Sequence, residues 1–246
     1  MTGAHHDDRS CRLGVLAFGD SITNAGGELQ WGVALQSWAL WLARCLGVPY
    51  SGYAVDGGAV ADVVGAQIPA FSTRTRQPDA RYDVGCLYIG VNDVRALDWD
   101  AVAFEHDFRT ALAFVRERCD RTLALTAPLG LGLPRTGAKV ADLNAVVTRA
   151  AQAHGALVVD LSDFGGRNFV MADRVHPTAF GQIAIAERAL GVLERDGLPA
   201  RVTPSSLISY STSRAGRLRA DWTYAYRSSK ELGRARLALA RAFADR

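Results

Sequence analysis

The chain has no uninterrupted apolar run of about 18 residues, so no transmembrane helix is expected. It has only four cysteines, Cys11, Cys45, Cys86 and Cys119, and they lack the close Cys/His spacing of a zinc site. No H-E-x-x-H run is present either, so no metal is expected, and reduced thiols are the simpler reading. There is no G-x-G-x-x-G and no G-x-x-x-x-G-K-[ST] after an apolar strand-like run, which removes dinucleotide and P-loop readings. The opening MTGAHHDDRSCRLG has no basic segment followed by an apolar one. No signal peptide is expected from it, and cytoplasmic residence is the default expectation.

What is present suits a folded domain. Hydrophobic residues make up 49% and charged residues 22% of 246 positions, which excludes a disordered or fibrous chain. A chain of this length can bury a sizeable core without disulfides or structural metal. The net charge is only +3, but it is unevenly spread: residues 197–246 hold ten Arg/Lys and three Asp/Glu, leaving 1–196 at −4. A main domain over 1–196, with 1–11 as a flexible polar arm, and a basic extension over 197–246 are therefore expected. The extension is expected to be packed on the main domain and partly irregular between 203 and 220. Its helical part is predicted over Lys230–Ala244, with Leu232, Leu237, Leu239 and Phe243 packed inward and the arginines facing water. Contact with an anionic membrane surface is the less favoured alternative, and no nucleic acid is expected as a partner.

Short apolar runs predict five strands, Leu13–Phe18, Gly52–Val55, Val84–Ile89, Thr122–Thr126 and Leu157–Leu161. Between and after them, helices are predicted over 28–46, Ala59–Ile68, Asp100–Arg118, Lys139–His154 and Thr178–Leu193. Pro69 should stop the second of these, Gly155 the fourth, and Thr178 should cap the last. Trp31, Trp38 and Trp41 fall on one face of the first. The alternation argues an α/β fold with a parallel sheet buried on both faces by helices. Such sheets bind ligands in the loops beyond the strand C-terminal ends.

Those loops carry the chemistry-bearing residues. Asp20-Ser21 follows the first strand, Asp56-Gly57-Gly58 the second, Asn92-Asp93 the third, and Asp173-Arg174-Val175-His176 lies beyond the fifth. Converging on one edge, they would supply a hydroxyl, an imidazole, a carboxylate and amide donors, the parts that acyl transfer needs. Taken singly each has a plainer reading. Ser21 can be a helix cap, His176 a loop closer, Asn92 a turn former, and Gly57 and Gly58 backbone requirements. Asp173, three residues before His176, can hold the Nδ1 proton and leave Nε2 facing Ser21.

Taken in order, these residues resemble the blocks of the SGNH, or GDSL, hydrolase superfamily. Gly19-Asp20-Ser21-Ile22-Thr23 is similar to the first block, and Ala54-Val55-Asp56-Gly57 to the second. Gly90-Val91-Asn92-Asp93 resembles the G-x-N-D block, and Asp173-Arg174-Val175-His176-Pro177 the D-x-x-H-P block. The resemblance runs from about residue 13 to 195. It implies a three-layer α/β/α, flavodoxin-like fold with a five-stranded parallel sheet. It also implies Ser21 as nucleophile, His176 as base and Asp173 as its orienter. The oxyanion hole would comprise the Ser21 N–H, a glycine N–H (Gly57, with Gly58 the second choice) and the Asn92 side chain. Asp20 and Asp93 would be supporting residues. The chain departs from the family in block two, where Gly52 stands near the usual asparagine position.

A G-x-S-x-G elbow is absent, which disfavours the α/β-hydrolase fold. The expected activity is hydrolysis of carboxylic (acyl) esters through an acyl-enzyme, with no cofactor and a small-molecule or lipid-like ester as partner. An acyltransferase or carbohydrate O-acetylesterase using the same triad is the alternative, and an inactive binding module a third reading. Leu129-Gly130-Leu131-Gly132-Leu133-Pro134 and residues 163–173, with Arg167 as an anion contact, are candidate pocket walls.

Overall fold

Five short apolar strands form one parallel sheet in the computed structural model, which describes residues 13–75, 80–132 and 136–244, with side chains described up to Leu237. They are β1 (Val15–Gly19), β2 (Tyr50–Gly52), β3 (Tyr82–Tyr88), β4 (Cys119–Leu125) and β5 (Leu157–Val159), in the spatial order β2-β1-β3-β4-β5. Register is set by pairs such as Val15 with Val84 and Gly19 with Tyr88 on one side of β3, and Val84 with Arg121 on the other. β1 and most of β3 and β4 are buried, as a sheet covered by helices on both faces requires. This is the α/β arrangement with a five-stranded parallel sheet that the sequence predicts. The polar arm predicted over 1–11 lies outside the described residues.

The helices are α1 (Trp38–Leu46), α2 (Val60–Asp62), α3 (Ile68–Arg74), α4 (Ala101–Arg118), α5 (Ala138–His154), α6 (Ala179–Arg195) and α7 (Arg214–Ala244). α4 starts where the Asp100 carboxylate accepts the Val102 and Ala103 N–H groups, at 2.8 and 3.2 Å. Thr178 caps α6 by accepting the Gly181 N–H at 3.2 Å, as predicted.

Four predicted elements differ. The second strand, predicted over Gly52–Val55, is Tyr50–Gly52, because Tyr50, Ser51 and Gly52 are the residues that pair with Val15, Leu16 and Ala17 of β1. Residues 28–37 are not helical: the Glu28 carbonyl accepts the Ala179 N–H at 2.9 Å, and helix begins only after Ser37, whose side chain accepts the Ala39 N–H. Trp31 therefore leaves the face it was predicted to share with Trp38 and Trp41. It adopts a left-handed backbone (φ 48°) and packs on Phe180 and Tyr210, while Trp38 and Trp41 enter the core. Apolar composition alone suggested helix there, but long-range aromatic contacts satisfy the same side chains in a loop.

Pro69 does not stop the second predicted helix. A π turn over Val63–Gln67, with the Ile68 N–H bonded to the Val63 carbonyl, widens the helix so that proline sits in the first turn of α3. The basic C-terminal helix starts at Arg214 rather than Lys230, so the predicted irregular stretch shortens to the segment before Arg214, which includes a 3₁₀ turn at Pro204–Leu207. That segment packs: Pro204 is buried, Arg201 N–H donates to the Cys45 carbonyl, and Tyr210 stacks on Trp31 and against Phe180. The inward packing predicted for the α7 leucines is not found, since Leu232 and Leu237 are exposed. The side chains of Leu239 and Phe243 lie outside the described residues.

Candidate active site

β1 ends at Gly19, where a side chain could not fit. A Cβ there would lie 2.3 Å from the Tyr88 carbonyl oxygen, and the backbone has φ 155°. The chain then turns so that Asp20 goes inward, fully buried, and Ser21 lies at the mouth of a cleft. One Asp20 oxygen accepts the Ile22 N–H at 2.9 Å, and the other has no partner among the described residues. Burial raises the Asp20 carboxyl from 3.8 to about 7, against the lowering effects of the Ile22 N–H and the nearby His176.

The loop that carries Asp173 and His176 closes on itself before α6. Met171 N–H donates to the His176 carbonyl at 2.8 Å, and Thr178 N–H to the Phe169 carbonyl at 2.9 Å. Asp173 Oδ1 accepts the Val175 and His176 N–H groups at 2.9 and 3.1 Å, with Arg174 between them in a left-handed conformation (φ 58°). Asp173 Oδ2 lies 2.7 Å from His176 Nδ1, and His176 Nε2 lies 2.9 Å from Ser21 Oγ. The three side chains, from opposite ends of the chain, form one hydrogen-bonded line. The Asp173 hydrogen bond raises the His176 pKa above 6.5 despite burial, with the Asp173 and Asp20 charges adding to it. Burial pushes the Asp173 carboxyl up, but the His176 ring and the two backbone N–H groups outweigh it and hold it below its ordinary value.

The loops after β2 and β3 meet the same cleft. Gly57, at φ 74°, has open space where a Cβ would be, and its N–H has no hydrogen-bond partner among the described residues. Gly58 N–H instead donates to the Val55 carbonyl at 3.1 Å. The Asn92 side-chain NH₂ donates to the Gly58 carbonyl at 2.9 Å, and one of its two hydrogens remains for another acceptor. Asp93 accepts the Val60 N–H at 3.1 Å, so it braces the loop after β2 as well as its own. Ser21, Gly57, Asn92, Met171 and His176 thus line one cleft of about 370 Å³, rimmed by Gly26, Gly27 and Asp56.

Two predicted pocket features fall elsewhere. The Arg167 guanidinium is paired with Asp221 of α7 and is not a free anion contact. Leu129 is exposed and Leu131 is buried in the core, neither lining the cleft, while Leu133 and Pro134 lie outside the described residues.

Three supporting residues escaped the sequence reading. Buried Gln67 accepts the Gly19 N–H at 3.1 Å and donates to the Gly19 carbonyl at 2.8 Å. Gln182, also buried, donates to the Ile22 and Gly26 carbonyls and accepts the Trp38 N–H at 2.8 Å. Asn144 holds both backbone groups of Ala127 beyond β4 in the same manner. Each amide stands among apolar residues of its helix, and a polar residue at a core-facing helical position was the available signal.

The model of the GDSL-like lipase/acylhydrolase family matches residues 17–183. The chain belongs to this family. As a GDSL-like lipase/acylhydrolase it is a hydrolytic enzyme acting on esters. Similar solved structures include an acetylxylan esterase from Geobacillus stearothermophilus, at 20% identity and TM-score 0.55, covering 74% of this chain and 96% of that one. A lipase/acylhydrolase from Enterococcus faecalis follows at 21% identity and TM-score 0.56, covering 74% and 95%. An alpha/beta hydrolase enzyme from the metagenome of Lake Arreo, Spain, is similar at 21% identity and TM-score 0.58, with 74% and 95% covered. These likenesses establish the shared fold. No curated protein matches the chain.

Proposed function

We propose that this family member hydrolyses esters of short acyl groups, acetyl above all, through a Ser21–His176–Asp173 triad and an acyl-enzyme. The observation that carries the proposal is the continuous line Ser21 Oγ–His176 Nε2–His176 Nδ1–Asp173 Oδ2, at 2.9 and 2.7 Å. The Asp173 carboxylate keeps the proton on Nδ1, so the Nε2 lone pair takes the Ser21 proton as Oγ attacks the acyl carbonyl carbon. The carbonyl oxygen then carries the negative charge. The N–H groups of Ser21 and Gly57 and the remaining Asn92 N–H are its proposed donors, with Gly57 favoured over Gly58 because the Gly58 N–H is already engaged. Collapse expels the alcohol, which leaves with the proton from His176. Water repeats the sequence on the acyl-enzyme, regenerating Ser21 and releasing the acid.

The short acyl group follows from the cleft. Gly26, Gly27 and Gly57 line it and Met171 is its main apolar wall, so little apolar surface can cover a long alkyl chain. Carbohydrate acetyl esters are the proposed substrate class, in line with the acetylxylan esterases among the similar structures. A series of p-nitrophenyl esters from acetate to palmitate, with acetylated xylo-oligosaccharide alongside, tests this. kcat/KM is expected to be highest for acetate and to fall steeply beyond butyrate, with acetate released from the sugar. A maximum at eight carbons or longer would overturn the short-acyl assignment.

A further inference from the structure

We propose that α7 is a docking helix for an anionic lipid surface, lying in the plane of the interface and holding the cleft beside it. A helix on a globular body normally turns its apolar stripe inward. α7 does so only in part. Its partly buried positions are Ala220, Asp221, Tyr224, Ser228, Glu231 and Ala235, small or polar apart from Tyr224, and it is tied to the body by ion pairs of Asp221 with Arg167 and of Arg227 with Glu28. Leu218, Trp222 and Tyr226, one helical turn apart in succession, are 61%, 77% and 68% exposed. Leu232, fourteen residues past Leu218, returns to within about 40° of it around the helix and is also exposed. Of these four side chains Tyr226 also borders the groove between α7 and the body, while Leu218, Trp222 and Leu232 do not.

Charge identifies the occupant. Residues 214–237 hold seven Arg/Lys and two acidic residues, and both acids are already paired, Asp221 with Arg167 and Glu231 with Arg234. Arg214, Arg217, Arg219, Lys230 and Arg236 have no acidic partner among the described residues. An exposed Leu/Trp/Tyr face flanked by Arg217, Arg219 and Lys230, with Arg214 and Arg236 at its two ends, has the composition of a helix that lies in a lipid headgroup region, apolar face down and cations toward anionic headgroups. No described helix is long and apolar enough to cross a membrane, and an interfacial helix does not need to be. The groove between α7 and the body includes Met171, which also lines the cleft, so docking through α7 would hold the cleft close to the lipid surface. This inference concerns where the enzyme works and stands apart from the acyl group it cleaves.

The full chain is tested by co-sedimentation with vesicles of phosphatidylcholine alone and of phosphatidylcholine with phosphatidylglycerol, with tryptophan emission as second readout. The expected result is binding to the anionic vesicles only, weakened at least tenfold by raising salt from about 0.1 to 0.5 M, with a blue shift of the Trp222 emission. A triple variant, Leu218→Ser, Trp222→Ser, Leu232→Ser, should lose binding at least tenfold while hydrolysing p-nitrophenyl acetate at the wild-type rate. The proposal is overturned by equal binding to both vesicles, by absence of binding, or by a triple variant that still binds. It is also overturned if the wild type sediments as a dimer that the triple variant separates, since a second copy would then cover this face.

Discussion

Asp20 and His176 influence each other's protonation next to Ser21, and this sets a pH dependence that can be read from the burial of each. Asp20, fully buried, holds its proton to about pH 7, whereas an unfolded aspartate releases it near 3.8. The folded state therefore binds the proton more tightly, and the stability this contributes is full below about pH 4 and lost as pH rises through 7. Asp20→Asn, neutral throughout, should gain stability over the wild type at pH 8.5 and less at pH 5.5, measured by urea unfolding at both values. A gain that is larger at pH 5.5 contradicts the assignment. The Asp20 charge also helps to raise the His176 pKa, after the larger effect of the Asp173 hydrogen bond, so the acidic limb of kcat/KM should move to lower pH in Asp20→Asn. Asn92 has a different signature. If its free N–H meets the developing oxyanion, Asn92→Ala should lower kcat about 10²–10³-fold with little change in KM. A change confined to KM would assign Asn92 to substrate binding.

At the scale of elements, the cleft is held by buried amide side chains where the strands end and the loops begin. Gln182 of α6 satisfies three backbone groups around the Ser21 turn: the Ile22 and Gly26 carbonyls and the Trp38 N–H. Leaving a buried polar group unsatisfied costs about 1–3 kcal/mol. Gln182→Leu, which leaves all three unsatisfied, is accordingly expected to lose about 3 kcal/mol or more in urea unfolding and to lower kcat, because the turn that aims Ser21 is no longer tied to α6. Unchanged stability would mean that water replaces the amide at no cost. This element-scale wiring also explains what the sequence did and did not disclose. The strand-end motifs were legible because Gly19-Asp20-Ser21, Gly90-Val91-Asn92-Asp93 and the Asp173–His176 spacing are local. The short apolar runs and the longer helix-length segments between them made the alternation of strands and helices legible too. Gln67, Gln182 and Asn144 were not legible, since each bonds to backbone far along the chain. Residues 28–37 were misread for the same reason: Trp31 meets Phe180 and Tyr210 only once the chain has folded. The turn at Val63–Gln67 was missed because a π turn relieves the proline constraint without any compositional mark.

The molecule as a whole places a mildly acidic body beneath a basic helix, and ion pairs of Asp221 with Arg167 and of Arg227 with Glu28 join the two. Exposed ion pairs contribute little to stability, about 0–1 kcal/mol each, so the core that folds the enzyme is the sheet with α1 and α3–α6. That core has one purpose at its active edge: it brings Ser21 of the first strand loop to His176 and Asp173, more than 150 residues later in the chain. Whether this convergence activates Ser21 is tested most directly by covalent labelling with a fluorophosphonate, read by intact-protein mass spectrometry and peptide mapping. The wild type is expected to gain a single adduct on Ser21 and to lose esterase activity in proportion, His176→Ala to label far more slowly, and Ser21→Ala not at all. An adduct that persists in Ser21→Ala, or full labelling without loss of activity, would contradict the account.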